Sequence, residues 1–160
     1  MTKTQISTLD DFDGWLRLAG EVEPLFGPMV QVNDFREGLR QAISEGNALC
    51  VRTERGPDGQ ALMGGIVISR QANEIVWLAV AKANRGLGLG TALLQAAIEC
   101  LDKSRPISVT TFDQTVEDGI AARNLYHALG FRDFAAAGNN PAGIPTVTML
   151  LIKPHEEPSS

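Results

Sequence analysis

The sequence predicts a mixed α+β domain, one sheet of about six to seven strands with about four helices packed on it. Three observations predict it. Strand-like apolar runs cluster between residues 48 and 80, separated by short turn-forming stretches, as in an antiparallel meander. Two segments with apolar residues at helical spacing precede that cluster, and two more follow it. Between the last run of the cluster and the next helix lies a glycine-rich turn, so the chain must cross over to a parallel strand. Strands gathered ahead of a helix-crossed parallel pair describe a mixed sheet rather than a barrel or a sandwich.

Each element follows from local chemistry. Ile6 centres a short first strand. Thr8 or Asp10 caps a helix through Trp15, Leu16, Leu18 and Ala19, and the stretch Glu23-Pro24-Leu25-Phe26-Gly27-Pro28-Met29 breaks it. Asn33 or Asp34 opens a second helix with Phe35, Leu39, Ala42 and Ile43 on one face, ending near Gly46. The meander runs Ala48 to Arg52, Ala61 to Ser69 and Ile75 to Val80, with turns at Glu54 to Gly59 and Gln71 to Asn73. A helix from about Gly88 to Asp102 carries Leu89, Leu93, Leu94, Ala97, Ile98 and Leu101 as a broad apolar stripe. After Arg105-Pro106 come a strand from Ile107 to Phe112 and a helix from about Ile120 to Leu129, closed by Gly130. Phe131 to Ala136 and Val147 to Lys153 complete the sheet around a Gly/Asn/Pro-rich loop, Gly138 to Pro145. Residues 1–153 read as a single domain, and the polar tail 154–160 is expected to fray.

Composition narrows the function. Hydrophobic residues make up 44 % and charged residues 21 %, which is ordinary for a globular domain. The net charge of −5 opposes nucleic-acid binding, which needs a basic face. No run approaches 18 apolar residues and the N-terminus has no signal-like apolar core, so neither a membrane span nor secretion is expected. Cys50 and Cys100 sit in apolar runs and read as reduced core residues of a cytoplasmic protein. Cys100 as a nucleophile finds no histidine near it in sequence, since the chain holds only His127 and His155. No metal-ligand spacing stands out.

The most informative stretch is Val80-Ala-Lys-Ala-Asn-Arg85-Gly86-Leu87-Gly88-Leu89-Gly90-Thr91. Three alternate glycines between a strand and a helix let main-chain N–H groups face an anion, and the helix dipole adds to their effect. A dinucleotide fingerprint counted from Gly86 requires a sixth-position glycine, where Thr91 stands, and an acidic residue ending a second strand, whereas Glu99 and Asp102 lie on the helix. A nucleoside-triphosphate loop requires a lysine after its last glycine, and none follows Gly90. A strand–helix turn without a ligand is the plain alternative. The third phosphate pattern, Arg/Gln-x-x-Gly-x-Gly/Ala, is filled by Arg85, Gly88 and Gly90. Further on, Ala122-Arg-Asn-Leu125-Tyr126-His-Ala-Leu129-Gly130-Phe131 resembles Asn-x-x-Ala-x-x-Leu-Tyr-x-x-x-Gly-Phe, with Gly119 in the Asn slot. A third signal is Glu74 before the run Ile75 to Val80, where Lys82 stands in place of a common proline. Over roughly residues 60–152 the chain resembles the GNAT superfamily of acyl-coenzyme A N-acyltransferases.

That resemblance implies a GNAT-type mixed sheet with helices on both faces, splayed after the fourth strand. It implies acetyl-coenzyme A as co-substrate, with pyrophosphate on the N–H groups of Arg85, Gly86, Gly88, Gly90 and Thr91. The pantetheine arm would pair with strand backbone at Leu78 and Val80. An amine must lose a proton before attacking a thioester, and Glu74 is the candidate general base; its plain alternative is a solvated carboxylate at a turn. Alternation of side chains puts Glu74, Val76, Leu78 and Val80 on one face and Trp77 on the other. Tyr126, the only tyrosine, is the candidate acid for the departing thiolate, against a purely packing role.

The amine acceptor is expected against the first two helices and the late strand loop. Residues 1–46 hold eight acidic and four basic residues, and Asp10, Asp11, Asp13, Glu21 and Glu23 either attract a cationic amine or simply face solvent. Phe26, Met29 and Trp15 either line an apolar pocket or fill the core, and His127 is expected at the surface. The reading is an N-acetyltransferase of a small-molecule primary amine acting by direct transfer, and a homodimer is compatible with it. A protein or peptide acetyltransferase, which needs an open groove, and a non-catalytic acyl-coenzyme A sensor are the alternatives. A small-molecule enzyme predicts a pocket roofed by residues 21–35 and 138–145.

Overall fold

In the computed structural model, residues 3–53 and 61–152 are described, and the elements follow the predicted order. Seven strands form one sheet: β1 Gln5–Ile6, β2 Ala48–Arg52, β3 Leu62–Ser69, β4 Glu74–Val80, β5 Ile107–Phe112, β6 Arg132–Asn139 and β7 Pro145–Leu151. Their order across the sheet is β1-β2-β3-β4-β5-β7-β6. Only β4 and β5 run parallel; every other pair is antiparallel. The expected turn Glu54–Gly59, Lys153 and the tail from Pro154 lie outside the described residues.

Four α-helices cover both faces. On one face α1 (Phe12–Phe26) and α2 (Asn33–Ser44) bury Trp15, Leu18, Leu39 and Ile43 against Ala48, Cys50 and Ala79. On the other, α3 (Leu89–Cys100) and α4 (Ile120–Ala128) bury Leu93, Leu94 and Tyr126 against Ile66, Ile75, Val109 and Met149. Gly65 is what lets α1 approach the sheet: a Cβ there would stand 2.4 Å from the Trp15 ring. Among the described residues, no helix is long and apolar enough to cross a membrane.

Two boundaries differ from the sequence reading. The first helix does not break at Glu23-Pro24. It runs one turn further to Phe26 and ends at Gly27, whose φ of 102° is open to glycine. A proline this close to a helix end forfeits one hydrogen bond, and the Glu23 carboxylate steadies the exit by accepting the N–H groups of Met29 (2.8 Å) and Val30 (2.7 Å). The late loop is also shorter than expected. Bulges at Phe134 and Ala137 let β6 keep pace with β7 as far as Asn139↔Pro145, and Asn140 closes the turn by accepting the N–H groups of Ala142 and Ile144.

One irregularity shapes the functional region. Val67 pairs with Trp77 but Ile68 pairs with Ile75, so Val76 is an extra residue bulged out of β4. The bulge reverses the alternation. Ile75 joins Leu78 and Val80 on the α3 face, so Glu74 falls on the Trp77 side, not the Leu78 side as strict alternation predicted. Beyond the bulge β4 also parts from β5. Their pairing stops at Glu74↔Ser108 and Ile75↔Val109, and from there the sheet opens into a wedge.

Candidate active site

The wedge holds a cavity of about 530 Å³. Its walls are β4 from Val76 to Val80 and β5 from Val109 to Phe112, which no longer hydrogen-bond to each other. One end opens on the glycine loop, and the other lies under the C-terminus of α1 and the β6–β7 loop.

At the loop end the local conformation follows from glycine. Gly86 and Gly88 hold φ of 82° and 80°, and no atom stands within 4 Å of where their side chains would be. Gly88 is the N-cap of α3 and offers no side chain to the first-turn N–H groups, so these remain for an outside acceptor. Gly90 has a different task. A Cβ there would come within 3.1 Å of Leu125, so its absence lets α3 and α4 close together. Arg85 folds back, its Nε donating to the Val80 carbonyl at 3.2 Å, which pins the loop to the end of β4.

Tyr126 stands at mid-cavity on α4, packed edge-on to Phe131 with ring centroids 5.5 Å apart. It is 4 % exposed, and burial pushes its phenol well above the usual value. Its hydroxyl meets no hydrogen-bonding partner among the described residues, so the proton it carries is uncommitted.

The far end is apolar and aromatic. Phe26 of α1 meets Trp77 of β4 (6.0 Å between centroids) and Phe112 of β5 (5.6 Å), both close to edge-on. The roof is fastened by Asn140, whose Nδ2 donates to the Leu25 carbonyl at 2.8 Å, while a Cβ at Gly27 would lie 2.7 Å from that of Pro141.

The structure brings Leu78, Val80, Arg85, Gly86, Gly88, Gly90 and Tyr126 to this one cavity. Thr91 sits exposed on the first turn of α3 but does not line it. Glu74 does not reach it either. It stands at the start of β4, two residues before the lining begins at Val76, and the bulge turns its side chain from the Leu78 face. Burial raises the Glu74 carboxyl above its usual range, on the Trp77 side of the sheet. The carboxylate that does line the cavity is Asp118, exposed on the turn ahead of α4.

A family model described as an acetyltransferase (GNAT) domain matches residues 26–153. The chain belongs to the GNAT acetyltransferase family. Solved structures of the family superpose over nearly its whole length. Phosphinothricin acetyltransferase from Sinorhizobium meliloti, in complex with acetyl-coenzyme A, shares 18 % identity at a TM-score of 0.69, covering 99 % of this chain and 93 % of that one. YncA from Salmonella typhimurium, with its cofactor acetyl-coenzyme A, shares 14 % at 0.69 over 100 % and 99 %. Ribosomal-protein-alanine N-acetyltransferase from Brucella melitensis shares 16 % at 0.69 over 94 % and 99 %. No curated protein sequence matches this one significantly.

As a GNAT acetyltransferase the chain departs from its motif at Gly119 for a visible reason. A Cβ at that position would stand 2.4 Å from the Cβ of Phe112, so the aromatic wall and a side chain in the Asn slot exclude each other. Three of the five acidic N-terminal candidates are taken up by structural contacts. Asp11 is buried against Arg52 (2.8 Å), Glu21 accepts the Lys82 N–H, Glu23 holds the α1 exit, and neither Asp10 nor Asp13 lines the cavity. Of the three apolar candidates, Phe26 lines the site, whereas Trp15 and Met29 are core. His127 is half-exposed beside Asp133 on the far side of α4. Among the described residues, no group of three or more His, Cys, Asp or Glu side chains is arranged to hold a metal. Sequence reading missed Leu25, Phe112, Asp118 and Pro141, for which no local pattern exists.

Proposed function

We propose that this acyltransferase moves the acetyl group of acetyl-coenzyme A to the primary amine of a small molecule, in one ternary complex. The observation that carries this reading is the fastened roof: Asn140 bonded to Leu25, and Gly27 against Pro141, close over the acceptor end where a peptide would need an open groove. The loop end fits the donor. Its uncapped helix N-terminus and open glycines suit a pyrophosphate, and the edge of β4 left unpaired by the splay suits a pantetheine arm at Leu78 and Val80.

Acetyl-coenzyme A supplies an activated acyl thioester when bound. At neutral pH the acceptor arrives as an ammonium and must shed a proton, and we assign its uptake to Asp118, the one carboxylate lining the cavity, directly or through water. The neutral nitrogen bonds to the acyl carbon as the carbon–sulfur bond breaks. Tyr126 gives its phenolic proton to the departing sulfur and is recharged from the proton the nitrogen loses. Amide, thiol and one proton released to solvent balance the reaction.

The test is calorimetric titration with acetyl-coenzyme A and its dephospho and desulfo analogues, followed by thiol release with small amines and with peptides. Micromolar binding and turnover of small amines support the reading; no binding, or turnover of peptides alone, overturns it. Asp118→Asn is expected to lower kcat about 10-fold or more while Glu74→Gln leaves it within about 2-fold. The reverse ranking would return Glu74 to the role of base.

A further inference from the structure

Resting on that reading, we infer that the acceptor is a compact primary amine with a flat, uncharged apolar body, an arylalkylamine being the fitting class. The thioester reaches Tyr126 from the loop end, so the amine must come from the other, beneath α1 and the β6–β7 loop. What lines that end is Leu25, Phe26, Trp77, Phe112, Pro141 and Thr146, with no charged side chain among them. Of the charged residues lining the cavity, Arg85 belongs to the glycine loop, and Asp118, next to the Gly119 that abuts Phe112, is the one carboxylate, taken up by the reacting ammonium. Asn140 has both halves of its amide committed, to Leu25, Ala142 and Ile144. A second ammonium on the substrate would therefore lose its hydration here without gaining an acceptor, and for a carboxylate the unpartnered Trp77 Nε1 offers one N–H but no opposite charge.

The aromatic wall selects further. Phe26 meets both Trp77 and Phe112 near edge-on, an arrangement that a flat ring extends more favourably than a flexible chain. Gly119 makes the wall possible, since any side chain there would displace Phe112. Of the carboxylates on α1, Glu21 accepts the Lys82 N–H and Glu23 those of Met29 and Val30, while Asp13, in the first turn at the opposite end of the helix, does not line the cavity.

The experiment measures thiol release by the full chain with acetyl-coenzyme A and phenethylamine, spermidine or glutamate as acceptor. The expected kcat/KM for phenethylamine exceeds that for either charged competitor by about 10-fold or more. Leu25→Glu, which sets a carboxylate into the apolar end, is expected to swing the phenethylamine-to-spermidine ratio toward spermidine by about 10-fold or more. A wild-type preference for spermidine or glutamate overturns the inference while leaving a small-molecule acetyltransferase standing. Binding of acetyl-coenzyme A with no turnover of any of the three also overturns it. Failure to bind acetyl-coenzyme A overturns the functional reading itself. Should Leu25→Glu not fold, the wild-type ranking decides alone.

Discussion

The two ends of the cavity are built in opposite ways. On the proposed reading the working groups at the loop end are main-chain N–H groups, and the side chains matter chiefly by being absent, as at Gly86 and Gly88. At the acceptor end the working surface is side chain throughout, collected from α1, β4, β5 and the β6–β7 loop. The first is one continuous stretch whose φ angles prescribe glycine. The second joins residues as far apart as Leu25 and Asn140, and only packing prescribes them. A cofactor end made of backbone can stay constant while the acceptor end changes one side chain at a time, so the two ends should fail separately when mutated.

The largest effect is expected where they meet. Tyr126→Phe removes the proposed acid but keeps the ring against Phe131, and kcat should fall about 100-fold with acetyl-coenzyme A affinity nearly intact. Equal losses in both would make Tyr126 a packing residue. At the loop end, Gly88→Val forces a β-branched residue to a φ of 80°, a strain of about 1–3 kcal/mol. Calorimetry should then show acetyl-coenzyme A binding about 10-fold weaker, whereas the acceptor KM measured at saturating cofactor moves little. A shift confined to the acceptor KM would break the division between the ends.

The same contrast explains what could be read from the sequence. The glycine conformation of the loop, the place of Tyr126 beside the same cavity and the order of elements were legible because turn chemistry, helical spacing and motif spacing are local. The strands were legible too, but the face each presents was not. A single inserted residue, Val76, moved Glu74 across the sheet, and nothing in Glu74-Ile-Val-Trp-Leu marks a bulge until Ile68 is seen opposite Ile75. Pro24 misled for a related reason: tertiary contacts of Phe26 with Trp77 and Phe112 outweigh the propensity of a proline one turn from the helix end. The acidic N-terminal third suggested an attractive field, but the partners that neutralise its role, Arg52 and the Met29 and Val30 amides, are fixed only by folding.

A smaller effect tests the link between the departed motif and the aromatic wall. Gly119→Asn restores the family's residue but thrusts a Cβ into Phe112, 2.4 Å away. Such overpacking costs about 1–3 kcal/mol, so a drop in Tm is expected together with a raised acceptor KM. If thermal stability and acceptor KM are both unchanged, Phe112 has room to move and the wall is not held by Gly119.

The smallest effect concerns the acidic region that the cavity does not use. Burial alone would raise the Asp11 carboxyl, but the Arg52 hydrogen bonds, the Thr8 N–H and the Arg52 charge outweigh it and hold the group below its usual value. A folded value lying below the unfolded one adds stability that is present above the unfolded pKa, near 3.9, and fades as pH falls through the folded value. Asp11→Asn should therefore lower stability at pH 7 by about 1–2 kcal/mol, and the gap to wild type in denaturant titrations should shrink progressively below pH 4. Turnover per folded molecule should not change, because Asp11 fastens Arg52 and the start of α1 and takes no part in lining the cavity. A fall in turnover without a fall in stability would place the acidic residues of α1 back on the path of the amine, and the two ends would then share a field as well as a cavity.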